Sequence, residues 1–263
     1  RLRRWGTAAV RLEIEEETPE YLVNLLMNSL ELEAADVYAN NRPLNLPDFM
    51  ELMKIDRRAL KDPIFNSRKL PEFEESTEDM FEAIRKRDIM VHHPFDSFTN
   101  SVVKFLQAAA EDPKVLAIKI TLYRAGRSSP VIEALKQAAE KGKQITAFVE
   151  LKARFDEENN ILWARELEQE GVHVVYGILG LKTHTKIAMV VRKERTRLRT
   201  YLHLATGNYS LLSSRLYTDI GIFTAREEFA NDAIHLFNSL TGYSHYSAWQ
   251  EFSVAPGNLK QKI

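Results

Sequence analysis

Lys182, His184 and Lys186 stand two residues apart in the run Gly180-Leu181-Lys182-Thr183-His184-Thr185-Lys186. Along an extended chain that spacing puts all three on one side, with Leu181, Thr183, Thr185 and Ile187 on the other. A histidine between two cations resists protonation, because like charges disfavour its charged form. It is thereby kept as a neutral nucleophile, beside ammonium groups that can hold an anionic, phosphate-bearing substrate. The chemistry such a stripe could perform is phosphoryl transfer through a covalent phosphohistidine. A solvated strand edge guarded by lysines gives the same local pattern, so residues elsewhere must decide.

Several of those fall where strands should end, the usual ligand-binding edge of an open α/β sheet. Arg124 closes Leu122-Tyr123-Arg124, and Arg154 follows the next strand in Lys152-Ala153-Arg154-Phe155-Asp156-Glu157-Glu158. The planar guanidinium fork suits phosphate oxygens and keeps its charge at working pH. In Thr206-Gly207-Asn208 the glycine permits close backbone approach to a ligand, and the asparagine amide can donate. Asp156, Glu157 and Glu158 could orient an arginine or hold Mg²⁺, which takes oxygen ligands; a helix start also favours such acids. Tyr217 could stack on a base or pack in the core. The neighbouring His92 and His93 read as part of a structural loop, since adjacent residues rarely share one metal ion. The run Arg192 to Arg199 reads as a solvated hairpin between strands, with steering of polyanions as the alternative.

The positioning elements follow from periodicity and punctuation. Val115–Tyr123, Gln144–Leu151, Val172–Tyr176, Lys186–Val191, Thr200–Ala205 and a segment around 217–223 read as strands. Helices are expected over Thr77–Arg87, Thr99–Ala110, Pro130–Lys141, Asn160–Glu170 and Ala225–Leu240, with Ser129 as a cap and Gly142 as a stop. Strand–helix alternation followed by consecutive strands implies an α/β sandwich with a mixed sheet. Ahead of it, a strand over Thr7–Glu16, a helix from Pro19 to Leu32 capped by Thr18, a strand at Asp36–Ala39 and a helix over Asp48–Ile55 form a small α+β unit. Residues 57–77, with Pro63 and Pro71, read as a connector.

Bulk numbers narrow the partners. Thirty-six Lys and Arg against 37 Asp and Glu give a net charge of −1, which argues against a bulk nucleic-acid binder. Cysteine is absent, so disulfides, thiolate catalysis and cysteine-ligated metals are excluded. No apolar run approaches the length of a membrane span. An opening at Arg1 that runs straight into a strand-like alternation reads as a piece of a longer polypeptide.

The pair His184-x-Lys186 followed by Gly207-Asn208 resembles half of the phospholipase D signature, but Val191 stands where that signature has an acid. A broader resemblance, to the polyphosphate kinase family, is carried by Leu122-Tyr123-Arg124, Val149 to Asn160, Gly180 to Lys186, Thr206 to Tyr209, Arg215 to Asp219, and Asp88-Ile89 with His92 to Phe95. It implies reversible transfer of the ATP γ-phosphate onto inorganic polyphosphate. His184 aligns with the phosphorylated histidine, Tyr217 with a nucleotide contact, and Arg124 and Arg154 with positions associated with Mg²⁺ and phosphate. Arginine has no lone pair for a metal, so both are expected to bind phosphate beside the ion. Lys182, Lys186 and Asn208 complete the expected phosphate- and nucleotide-binding set.

The resemblance further implies the end of a head domain over 1–56, a first phospholipase D-like catalytic domain over 78–245, and a second domain's start or a tail over 246–263. It implies homo-oligomers and a cytoplasmic location, with peripheral attachment to the inner membrane face as an option. Since the second catalytic half is absent, little or no turnover is expected of this piece alone. A phospholipase D-like phosphodiesterase and a non-catalytic polyanion-binding domain are the competing expectations.

Overall fold

The computed structural model describes residues 9–63, 65–73, 77–123, 125–126, 129–151, 157–178, 180–195, 197–242 and 248–263, with backbone alone at 77–79 and 157–159. The chain divides into two compact units, Arg1–Ile64 and Phe65–Ile263.

In the first unit strands β1 (Leu12–Glu15) and β2 (Val37–Asn40) pair in parallel, joined through helix α1 (Glu20–Leu30). Thr18 does not cap α1: Pro19 occupies the cap position and no side chain bonds there. Proline's fixed φ already suits a helix entry. The expected helix over Asp48–Ile55 is a 3₁₀ segment, Leu46–Lys54, with no buried residue to pull it into α geometry.

The second unit is built on a seven-stranded mixed sheet in the order β3-β9-β8-β7-β4-β5-β6. Its strands are β3 (Ile89–His93), β4 (Val115–Leu122), β5 (Gln144–Val149), β6 (His173–Tyr176), β7 (Ile187–Glu194), β8 (Arg197–Ala205) and β9 (Asp219–Thr224). β4, β5 and β6 run parallel, and every other pairing is antiparallel. The expected mixed α/β architecture is what forms.

Side-chain alternation sets the layers. Ala188 and Val190 of β7 and Tyr201 of β8 enter a large core with helices α2 (Thr77–Lys86), α3 (Lys104–Glu111), α4 (Pro130–Glu140) and α5 (Glu157–Gln169). Ile187, Met189 and Leu202 point the other way, onto Ala233, Leu236 and Phe237 of α7 (Glu227–Gly242). The short helices α6 (Ser213–Leu216) and α8 (Leu259–Lys262) lie outside these layers' main contacts. Helix α4 obeys its punctuation: Ser129 Oγ accepts the Val131 N–H at 3.3 Å, and Gly142 takes φ 76° just past the end.

Two segments differ from expectation. His92 and His93, expected in a loop, instead fall in edge strand β3 (Ile89–His93), antiparallel to β9. Its burial alternates, with Ile89, Val91 and His93 inward, so a histidine occupies an inward position that sequence alone reads as polar. The 192–199 run is less solvated than expected. Arg192 is buried, donates to Asp112 Oδ2 at 2.8 Å and pairs with Glu194, which also binds Arg199 at 3.1 Å and the Tyr201 hydroxyl. Those pairs carry β7 and β8 past their expected ends to a turn at Arg195.

Buried Asp232 of α7 gathers the backbone N–H groups of Gln250, Glu251 and Phe252 at 2.8–3.1 Å, fastening the C-terminal segment to the helix. Among the described residues no helix is long and apolar enough to cross a membrane.

Candidate functional site

Strand direction gathers the chemistry. With β4, β5, β6, β8 and β3 running one way and β7 and β9 the other, one edge of the sheet receives the C-terminal ends of the first five and the N-terminal ends of the last two. Tyr123, Glu150, the 181–186 segment, Thr206–Asn208, Tyr217 and Asp219 all fall on that edge. Arg124 and Arg154 follow β4 and β5 in sequence but lie outside the described residues, as do Asp156 and the side chains of Glu157 and Glu158.

Residues 181–186 form an extended approach to β7 rather than part of it. Lys182, His184 and Lys186 nevertheless meet around one ring. His184 stands edge-on to Tyr123 with centroids 5.4 Å apart, and the Lys182 and Lys186 ammonium groups lie 5.2 and 5.6 Å from the same ring centre. The negative face of an aromatic ring attracts cations, which offsets part of the repulsion between the two lysines. His184 and Lys182 are exposed, while Lys186 is only 6% exposed. The expected alternation therefore survives as a shared ring but not as a uniform face.

Burial, then the charges of Lys186 and Lys182, push the His184 imidazole below its ordinary value. Burial brings Lys186 down to about 8, against the attraction of Asp219 and with the repulsion of Lys182. At neutral pH the arrangement is a neutral imidazole next to a mostly charged, poorly solvated ammonium whose Nζ donates to the His184 carbonyl. Val191, where the phospholipase D signature has its acid, is paired inside β7 with Ala117 and Thr200. The carboxylate that acts on Lys186 comes from β9 instead.

Glu150 and Thr121 hold this segment. Glu150, 2% exposed at the end of β5, accepts the Thr183 N–H through Oε2 at 2.7 Å. Thr121 Oγ1 donates to the Thr185 carbonyl at 2.9 Å and accepts the Ile187 N–H at 3.1 Å. Sequence reasoning gave roles to neither, nor to Tyr123 or Asp219. The available signal was an acid placed directly after the apolar run Ile145–Val149.

The second wall is Thr206–Asn208. Thr206 Oγ1 donates to Asp219 Oδ1 at 2.8 Å, and a Cβ on Gly207 would lie 2.5 Å from Asp219 Oδ2. The close approach that Gly207 permits is thus to Asp219, and the expected approach to a ligand is not what demands it. Asn208 is half-buried, and its Oδ1 is buried without a hydrogen-bond partner among the described residues. Tyr209 fixes the turn from below: its hydroxyl meets His203 Nδ1 at 3.0 Å and the His203 carbonyl at 3.2 Å. Full burial, with a smaller contribution from His93, brings His203 to about 3, so it is neutral. Tyr217 is 62% exposed, which removes the core reading and leaves its ring open to solvent.

Among the described residues no group of three or more His, Asp or Glu side chains could cage a metal. Lys182 and Lys186 on this edge are donors that suit phosphate oxygens.

Comparison with known proteins agrees with this picture. The polyphosphate kinase C-terminal domain 1 family model matches residues 79–246, and the polyphosphate kinase middle domain matches residues 1–52. A polyphosphate kinase of Parasynechococcus marenigrum (strain WH8102) is 48% identical over 275 residues, 99% of this chain and 39% of that protein. One from Mycobacterium avium (strain 104) is 48% identical over 263 residues, covering 99% and 36%. The crystal structure of polyphosphate kinase from Porphyromonas gingivalis superimposes with a TM-score of 0.80 at 27% identity, over 97% of this chain and 39% of that one. The chain thus spans less than two-fifths of the length of these relatives. Matching family models over most of its length, and close relatives over nearly all of it, place the chain in the polyphosphate kinase family.

Proposed function

We propose that this chain supplies the phosphoryl-accepting half of an active site that moves the ATP γ-phosphate reversibly onto inorganic polyphosphate. The observation that carries the reading is the neutral His184 imidazole, set beside Lys182 and Lys186 on the Tyr123 ring. Family membership supports it.

In the forward direction an imidazole nitrogen attacks the γ-phosphorus in line. The N–P bond forms as the bond to the β,γ-bridging oxygen breaks, and ADP leaves with that electron pair. A terminal phosphate oxygen of polyphosphate then attacks the phosphohistidine, which lengthens the polymer by one unit and restores the ring. Lys182 and Lys186 sit where charge spreads onto the transferring oxygens, and little reorganisation is needed because Lys186 is already desolvated. Arg124 and Arg154, which follow β4 and β5 in sequence, are the further phosphate-binding residues of this reading. Asn208 offers an amide to phosphate, and Tyr217 an exposed ring for the adenine. Magnesium bound to the nucleotide would neutralise phosphate charge, with Arg124 and Arg154 binding phosphate oxygens and not the ion itself.

The reading extends to organisation: the end of a head domain over 1–56, a connector over 57–77, a first catalytic domain over 78–245 and the start of a second domain or a tail over 246–263. It extends also to a cytoplasmic homo-oligomer drawing on cellular ATP. The test is labelling of the full-length protein with γ-labelled ATP. Base-stable, acid-labile label is expected in the unmodified protein and none in His184→Ala. Undiminished label in the variant would refute the assignment.

A further inference from the structure

The sheet has a second charged end. Two cavities of about 480 and 490 Å³ lie where β7 and β8 turn and β9 stops, and Arg85, Arg197 and Arg199 line both, so they adjoin. β7 runs eight residues from the approach segment at Ile187 to this turn, so the two ends are about 25 Å apart.

Basic side chains lining the two cavities outnumber acidic ones by more than two to one, on a chain whose net charge is −1. Several of these cations are matched, Arg197 by Glu227, Arg87 by Glu72, Arg192 by Asp112 and Arg226 by Glu228 and Glu251, while two other carboxylates are each shared. Glu82 pairs with both Arg85 and Lys86, and Glu194 with both Arg192 and Arg199. Lys193 and Arg195 are exposed and have no carboxylate partner among the described residues. Arg195 also takes φ 41° at the hairpin turn. Glycine or asparagine would enter that region at lower cost, so folding alone gives no reason for an arginine there.

From this we infer that the Arg195 end of the sheet is a second binding surface, for the body of a long linear polyanion. The chemistry selects polyphosphate over nucleic acid. Neither cavity is lined by an aromatic residue among those described, and single-stranded nucleic acids are held by stacking bases on aromatic rings. A polymer of phosphates alone needs only cations. A chain reaching from the His184 edge to this end occupies both surfaces, while an oligophosphate of a few units reaches one. The inference rests on the proposed polyphosphate chemistry for its ligand, but not on His184 for its binding energy.

The experiment uses the full-length protein with Arg85, Lys86, Lys193 and Arg195 all changed to Gln, none of them a residue of the proposed transfer site. Affinity is measured for long-chain polyphosphate and for tetraphosphate across a salt series. Long-chain affinity is expected to fall by about tenfold or more with a shallower salt dependence, while tetraphosphate affinity and His184 labelling from ATP stay within about twofold. Unchanged long-chain affinity would overturn the inference, as would equal losses for both lengths. So would a single-stranded oligonucleotide of matched charge competing as well as polyphosphate. If the unmodified protein takes no label at His184, the transfer reading fails by itself, since the binding comparison does not depend on it.

Discussion

Replacing Lys186 by methionine should make the protein more stable and less active at once. The ammonium is nearly buried, and burial has brought it from 10.5 to about 8. A depression of that size means the charged form costs the fold about 3 kcal/mol relative to the unfolded chain, at 1.36 kcal/mol per unit. The sign follows from proton counting. Between pH 8 and 10.5 the unfolded chain holds a proton the folded one has lost, so stability from this group rises with pH across that window. Below it, the full cost is present. Lys186→Met removes the cost and keeps the stem, while losing the bond to the His184 carbonyl, the contact with the Tyr123 ring and the attraction of Asp219. Urea unfolding at pH 7 should therefore show the variant about 1–3 kcal/mol more stable. The advantage should shrink toward zero by about pH 10.5. Labelling of His184 should fall by about a hundredfold or more, the scale for removing one donor that stabilises a transition state. A variant that is equally destabilised at both pH values would refute the claim that Lys186 is held in a desolvated, charged state.

Three further outcomes follow from the geometry. Lowered below 6.5, the His184 imidazole should lose nucleophilicity only as pH falls through that lower value, so the acid limb of the labelling rate should lie below pH 6.5. Glu150→Gln weakens the acceptor for the Thr183 N–H by about 1–2 kcal/mol; faster amide exchange at Thr183 and slower labelling are expected, with the sheet amides unchanged. Gly207→Ala sets a methyl against the Asp219 carboxylate, displacing it from Thr206. A cost of about 1–3 kcal/mol in unfolding and a rise in the Lys186 titration's departure from 10.5 are expected, read by NMR of labelled lysine.

Much of the frame was legible because its signals are local. Ser129, Pro130 and Gly142 bracket helix α4 within a residue, and the apolar runs of β4 and β5 announce buried parallel strands. The stripe at 182–186 was legible as chemistry, but its supports were not. Glu150, Thr121 and Asp219 act on it from other strands, and only the register brings them together. The extension of β7 and β8 was hidden for a similar reason: Arg192 reads as solvent-facing until Asp112, eighty residues earlier, is placed beside it. β3 was obscured by a histidine at an inward position. Long-range pairing decides these cases, and a single chain of letters does not display it.

Asp232 turns the C-terminal segment into an all-or-none attachment. One carboxylate collects three successive amides, so they cannot be peeled off individually without stranding a buried anion. Release should therefore occur in a single opening event, giving residues 250–252 a common exchange rate rather than a gradient of fraying. Whatever pulls on that segment acts on the sheet through α7, at the face opposite the larger core.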